Sequence, residues 1–458
     1  MFFNLYQNNK KTLILDILIF FTLIILFIKF FVIIEVYPLH DEVVIIERNT
    51  KWHNVLWRNY TSNHTINSLF AVIIKSIFGF NILYYRFVSY IFFSLILILF
   101  RKLYPNLLLY CIFITIILSS QLLTNYVWIF RGYYSWAFFT VLSFFYLKKF
   151  ITNNFDNKNY KILLIINLIL LCHAIFTLYV VVPIFICLFF IFINNLIKKN
   201  NDFKIKEKIL IFFKFFLIPL ITFYFLVIII EGFIINYWDN LTLKFFLQNI
   251  LKIIQDGFVP GFKSIFLDSH LNQYVPKGNF FFNLYTSLIN NELFTRSSQI
   301  ENQYTIFAIY LVSFFVLIYK ALTKKFDYLD LTQAIIFLFF YLIHFVPEPR
   351  VHVGIVFFNI FYIFNNINLI YIKKIETNFL ITLSILFLTI FYISNTKIDE
   401  RYYETKLSID KINLLKKKNN CNELNYLLSE YEIWIMKNIY NKECGFYYDF
   451  ENEKNILY

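Results

Sequence analysis

Glycine and proline are scarce, with 8 of each in 458 residues. Gly-X-Y triplets, Pro/Gly linkers and turn-dense propellers all need more of both, so those classes are excluded and long uninterrupted helices are favoured. Charge is scarce as well: Asp, Glu, Lys and Arg make up 16% of the chain, against about a quarter in soluble domains. No CxxC pair, zinc-ligand spacing, Walker loop or GxGxxG element occurs. Their absence argues against a nucleotide-hydrolysing or nucleotide-sugar-binding domain. The energy for any chemistry then has to arrive with the substrate.

What the chain has in quantity is apolar surface. Hydrophobic residues reach 59% and aromatics 22%, with 61 Phe and 34 Tyr, and the mean hydropathy is +0.62. Such a composition belongs in a bilayer. The bias toward Ile, Phe, Asn, Lys and Tyr also looks like the product of an AT-rich genome. The net charge of +13 therefore says less than the positions of the lysines.

Crossing a hydrocarbon core of about 30 Å takes roughly 20 helical residues. Eleven apolar runs approach that length, near 13-36, 83-100, 107-125, 133-148, 162-173, 177-196, 214-236, 303-321, 331-346, 352-372 and 378-396. The fifth and sixth adjoin at Leu171, Cys172 and His173. The first lacks the small-residue cleavage site of a signal peptide and reads as a retained anchor. The expected fold is an all-α polytopic membrane protein of about 11 transmembrane helices. Residues 1-396 would form the transmembrane domain, with amphipathic helices in its outer loops, and 397-458 a small extramembrane tail.

Basic residues flanking spans stay on the cytoplasmic side. Lys10 and Lys11 precede the first run; Arg101 and Lys102 follow the second; Lys148, Lys149, Lys158 and Lys161 separate the fourth and fifth. Lys198, Lys199, Lys204, Lys206 and Lys208 follow the sixth, Lys324 and Lys325 the eighth, Lys373 and Lys374 the tenth. With eleven spans all of these share one side, the N-terminus is inside and the C-terminus outside.

The opposite side carries residues 37-82, residues 237-302 and the tail, and there a functional site is expected. All seven histidines (His40, His53, His64, His173, His270, His344 and His352) fall on that face or at span ends opening onto it. Histidine is tolerated at interfaces and avoided among lipids. That explains its absence from helix centres but not from the basic loops. Cys111, Cys172 and Cys187 lie in spans and read as small apolar fillers. Cys421 and Cys444 share the outer tail, where a disulfide and two free thiols both fit. Within 237-302, Leu243, Phe246, Leu247, Ile250 and Ile254 give Leu241 to Ile254 the spacing of an amphipathic surface helix, ended by the Asp256-Gly257 turn.

The first outer loop opens on Tyr37-Pro38-Leu39-His40-Asp41-Glu42. Adjacent acids fit a solvated helix start. Set against the hydrocarbon edge they also fit a site, since desolvation raises the basicity of a carboxylate and suits it to take a proton from a hydroxyl.

The order of features resembles the GT-C glycosyltransferases, which use polyprenyl-phosphate-linked sugars, as do the protein O-mannosyltransferases and the aminoarabinose and galacturonic acid transferases acting on lipopolysaccharide. A first span runs into the Asp-Glu pair; Asn63-His64-Thr65-Ile66-Asn67-Ser68-Leu69 leads to Ile77-Phe78-Gly79; Tyr85-Arg86-Phe87 starts the second span. Phe130-Arg131-Gly132-Tyr133-Tyr134-Ser135, opening the fourth span, is similar to an Arg-Gly-Tyr element of many bacterial members. The similarity covers roughly residues 13 to 200. His40 departs from it by standing where other residues often precede the acidic pair.

The resemblance implies that Asp41, with Glu42 second, acts as base or orients the acceptor, and that the donor is a polyprenyl-phosphate sugar. Such a donor carries its own leaving group, so one carboxylate and cations to hold the phosphate suffice. Arg131 and Arg350 are the expected phosphate ligands. Arg131 fits an interfacial snorkelling arginine equally well, and Arg350 in Pro347-Glu348-Pro349-Arg350 fits an ion pair with Glu348. His40, His64, Tyr133, His173 and His352 are substrate-site candidates. A divalent metal on Asp41, Glu42 and a histidine is the one cofactor considered, with no fixed ligand spacing behind it. The expected protein is a glycosyltransferase of a bacterial inner membrane facing the periplasm, passing sugar to a lipid, glycan or protein hydroxyl. Membrane lipids and no nucleic acid complete its expected partners. A lipid-linked oligosaccharide flippase would instead need facing charges at mid-bilayer and repeated broken helices. An O-antigen ligase or polymerase would need basic residues in one large late loop.

Overall fold

Side-chain caps start several helices. Asn81 accepts from the Leu83 amide (3.0 Å), Asn106 from Leu109 (3.0 Å) and Asp156 from Asn159 (3.1 Å), each satisfying a backbone donor that the first turn leaves open. Gly79 ends the preceding helix at φ +71, a conformation in which a Cβ would be strained. In the computed structural model, residues 2–28, 42, 45–46, 55, 64–79, 81–120, 123–124, 126–174, 177–198, 204–234, 304–343, 353–367, 446–449 and 454–457 are described.

The helices, in order, are α1 (Phe2–Phe27), α2 (Thr65–Phe78), α3 (Ile82–Leu103), α4 (Leu107–Ser119), α5 (Tyr133–Thr152), α6 (Asn157–His173), α7 (Leu178–Ile197) and α8 (Ile205–Phe212). A π-helical turn, Phe213–Leu217, joins α8 to α9 (Ile218–Ile234). Pro219 explains the turn: it has no amide hydrogen and its ring crowds the carbonyl four residues back, so the helix widens there. Then come α10 (Tyr304–Leu322), α11 (Tyr328–Ile343) and α12 (Val353–Asn366). A hairpin of β1 (Phe446–Asp449) and β2 (Lys454–Leu457), with Phe446 opposite Leu457, is added to the all-α expectation.

Helix α5 runs through the middle, packed on α3, α6 and α12, while α7 packs on α11 and α10 on α12. Aromatic rings fill these seams. Phe100 of α3 stacks on Phe113 of α4 at 4.0 Å and meets Phe361 and Phe364 of α12 edge-on. Helices α5 and α12 meet tightly at Gly354, where an added Cβ would fall 2.4 Å from the indole of Trp136. Interior polar groups are bonded from helix to helix. The amide oxygen of Asn359 (α12) accepts from Ser313 (α10) at 2.5 Å and from Gln333 (α11) at 2.8 Å, and Asn167 (α6) donates to Ser143 (α5) at 3.0 Å. Buried amides and hydroxyls of this kind hold helices together where apolar surface alone gives no preference between neighbour and lipid.

Contacts between distant residues sort the helix ends into two groups. At one, the Tyr104 hydroxyl donates to the Phe361 carbonyl (3.0 Å), Asn194 to Tyr328 (2.5 Å), and Lys208 to Asn157. There Lys320 pairs with Asp330 at 2.6 Å and Asp327 at 3.0 Å, and Tyr362 donates to Asp330 at 2.7 Å. Burial pushes the Tyr104 hydroxyl above its ordinary pKa. At the other end Arg86 meets Glu42, Ser89 donates to the Ile129 carbonyl (2.7 Å), and Ser119 faces Thr305 (3.3 Å). Helices α3 to α7 and α10 to α12 thus alternate in direction, with lysine-rich connections at the first end and His64 and His173 at the second.

Among the described residues three helical stretches are long and apolar enough to cross a membrane, Ile82–Leu103, Leu178–Ile197 and Ile205–Leu226; shorter apolar helices accompany them. This is consistent with a membrane protein. Several expected boundaries shift. The run 107-125 ends its helix at Ser119, 162-173 begins at Asn157, 214-236 begins at Ile205, 331-346 becomes Tyr328–Ile343, and 352-372 ends at Asn366. Hydropathy marks where side chains are apolar, whereas the helix ends at caps, and at Ser120 the chain turns extended. Helix α2 was anticipated only as a motif in the loop 37-82. The run 378-396, the loop 237-302 with its amphipathic segment, Cys421 and Cys444 lie outside the described residues.

Candidate functional site

The histidine end gathers five stretches of chain. Glu42 is fully buried, and its carboxylate receives Arg86 Nε on Oε1 (3.0 Å) and Nη2 on Oε2 (2.6 Å). Oε1 also accepts the Phe130 amide at 2.7 Å. Arg86 lies in the second turn of α3, with its guanidinium carbon 5.0 Å from the centre of the Trp128 ring. A charge at such depth is tolerated when it is paired and hydrogen-bonded throughout, and removing one partner strands the other. The planar fork matches both carboxylate oxygens at once, which an ammonium does not do.

Phe130 immediately precedes Arg131, so the bond from Glu42 ties the first acidic loop to the Arg-Gly-Tyr turn. Arg131 is 5% exposed, more enclosed than a snorkelling side chain at a lipid boundary. Its carbonyl receives the Tyr133 amide at 2.8 Å. Ser89 of α3 holds the same turn from below through Ile129. Tyr133 opens α5, with its ring 4.4 Å from Tyr126 and 5.0 Å from His64.

His173, last residue of α6, accepts the Ile66 amide on Nδ1 (3.3 Å) and places Nε2 2.9 Å from the Gly132 carbonyl. Nδ1 therefore offers its lone pair, and Nε2 carries the hydrogen because a carbonyl only accepts. Ser135 lies 3.1 Å from Nε2 and sends its own hydrogen toward Asn67 Oδ1 (2.9 Å) or Gly132 O (2.8 Å). A neutral ring satisfies every one of these bonds. His173 thus works as a strut joining the first turn of α2, the Gly132 turn and α6. His64 precedes α2 with its ring against Tyr133 and 5.2 Å from His173. It sits so close to Gly132 that an added Cβ would lie 2.3 Å from both His64 Cβ and Cγ.

Helix α2 carries this arrangement on one face: Asn67, Ser68, Ala71, Val72 and Ile74 are buried, while Leu69, Ile77 and Phe78 are exposed. The structure brings Glu42, His64, Arg131, Tyr133 and His173 to one end; His40, Asp41, Arg350 and His352 lie outside the described residues. Among the described residues no group of three or more His, Cys, Asp or Glu is placed to hold a metal ion. Arg86, Trp128, Asn67 and Ser135 were not singled out as site residues from sequence. An arginine inside an apolar helix was the available signal, because it demands a carboxylate at the same depth. Comparison with protein-family models, with curated proteins and with solved structures finds no match.

Proposed function

We propose that the chain is a GT-C-type glycosyltransferase that moves a sugar from a polyprenyl-phosphate donor to a hydroxyl of a lipid, glycan or protein. One observation carries this reading: Glu42 is bonded to the Phe130 amide at 2.7 Å. The acidic pair and the Arg-Gly-Tyr turn, the two elements on which the resemblance rests, are thereby joined directly. In this reading Asp41 takes the proton of the acceptor hydroxyl while that oxygen attacks the anomeric carbon. The bond from that carbon to the phosphate oxygen breaks, and polyprenyl phosphate leaves with the electron pair. Arg131 and Arg350 bind the phosphate, whose charge grows as the bond breaks. Glu42, already holding Arg86 and Phe130, orients its neighbour Asp41, and His64 and Tyr133 line the approach. The site faces away from the lysine-rich loops, which the positive-inside rule assigns to the cytoplasm, and in a bacterial inner membrane that is the periplasm.

The reading is tested with purified protein in lipid nanodiscs and a radiolabelled polyprenyl-phosphate sugar. Asp41→Asn is expected to lower transfer by two to four orders of magnitude, the usual range for a general base, with unchanged thermal stability. Full transfer by that variant would sink the assignment. A wild-type chain that moves the intact lipid-linked sugar between leaflets without transfer would replace the enzyme by a flippase.

A further inference from the structure

Two pairs of lysines at the lysine end share one design. In the first, Lys102 from the last turn of α3 and Lys149 from the last turn of α5 converge on the ring of Phe145, with ammonium nitrogens 5.8 Å and 4.4 Å from its centre. In the second, Lys161 of α6 and Lys214 of the π-helical turn converge on Phe215 at 5.5 Å and 5.7 Å. An aromatic face attracts one ammonium weakly at exposed sites. Two ammonium groups on the same ring repel each other, and the ring does not offset that. None of the four lysines has a carboxylate partner among the described residues, and the described acids of this end are engaged elsewhere. Asp16 holds Arg101 (2.6 Å), Asp327 and Asp330 hold Lys320, Glu207 accepts from Asn157 (2.5 Å) and Asp156 caps α6.

The surface beside each pair is apolar and open. Ile98 lies one turn before Lys102, and Phe213 and Ile218 flank Lys214; all three are exposed. Each pair therefore presents two positive charges beside exposed apolar side chains. We infer that each binds the headgroup of an anionic phospholipid, its phosphodiester between the two ammonium groups and its acyl chains along the exposed apolar side chains. Free phosphate would satisfy the charges but leave those apolar side chains bare, which is why the lipid is the occupant. Lys148, next in sequence to Lys149, points elsewhere, lying 5.8 Å from the Tyr104 ring. Convergence is thus a property of particular lysines and not of the whole basic surface. The inference depends on the chain being membrane-embedded and not on the sugar-transfer reading.

The test uses the full chain in nanodiscs of equimolar phosphatidylcholine and phosphatidylglycerol, with lipids retained after ejection counted by native mass spectrometry. The wild type is expected to keep phosphatidylglycerol over phosphatidylcholine by about thirtyfold per lysine pair, since each lysine at an anionic headgroup contributes roughly a factor of five. Lys102→Gln with Lys149→Gln should remove one retained lipid, and Lys161→Gln with Lys214→Gln the other. The control, Lys324→Gln with Lys325→Gln, removes the same charge from the same end and should remove none. Equal loss in the control would reduce the effect to diffuse attraction and overturn the proposal. So would retention without lipid preference in the wild type, a measurement that needs no variant to fold. Displacement of the retained lipid by millimolar inorganic phosphate would overturn it as well.

Discussion

Glu42 and Arg86, 44 residues apart in sequence, form a two-point pair with both contacts at 3.0 Å or less, and the pair is closed to solvent. It fixes Glu42 against α3. Glu42→Leu or Arg86→Met leaves one buried charge alone, and each is expected to lose about 3–5 kcal/mol. Glu42→Leu combined with Arg86→Met should recover part of that loss, because the apolar pair needs no partner while the Phe130 amide loses its acceptor. Thermal denaturation of all four proteins in one detergent measures the coupling. Strictly additive losses would show that the two residues act independently.

Gly132 is expected to be intolerant of a side chain for a steric reason. An alanine Cβ would meet His64 at its own Cβ and Cγ, near the root of the side chain, where rotation gives no relief. Gly132→Ala should cost about 1–3 kcal/mol, the usual range for overpacking. His64→Gly in the same chain should return most of it, whereas His64→Ala should not, because its Cβ remains in the way. Melting temperatures of the three variants decide.

Arg131 offers a test of phosphate binding separate from folding. A charge-assisted bond to a phosphodiester contributes roughly 1.5–3 kcal/mol. Arg131→Lys keeps charge without the planar fork and should retain part of the activity, while Arg131→Ala should retain very little. The loss is expected in donor affinity. A loss confined to acceptor affinity would move Arg131 out of the donor site and make Arg350 the better candidate.

The alternation of helix directions gives a topology test. A reporter active only outside the cytoplasm should be active when fused after Asn283 or Asp410 and silent after Asn157 or Asn201. Activity after Asn201 would invert the orientation and place the Glu42–Arg86 end in the cytoplasm.

The sequence revealed the helices better than their partners. Apolar run length placed α3, α7 and α10 within a few residues, because a stretch that must avoid water is visible without its neighbours. The start of α8 was missed because Lys206, Glu207 and Lys208 interrupt the apolar run, although the helix passes through them into α9. Arg86 was visible in Tyr85-Arg86-Phe87, yet its pairing with Glu42 depends on a fold that closes 44 residues of chain. His173 stood out in the sequence as a candidate but not as a strut, since that role depends on the Ile66 amide and the Gly132 carbonyl, and backbone groups leave no trace in residue identity.

Gly354 and Trp136 have a consequence for how this chain is free to vary over generations. With the indole in place, position 354 admits no side chain at all. A smaller residue at 136 would lift that restriction, at the loss of one of the largest fully buried groups of the bundle. Neither site is free to drift alone. Descendants should keep the two together or change both within a short interval, a correlated pair joining α5 to α12 that a future set of aligned relatives would display without any structure.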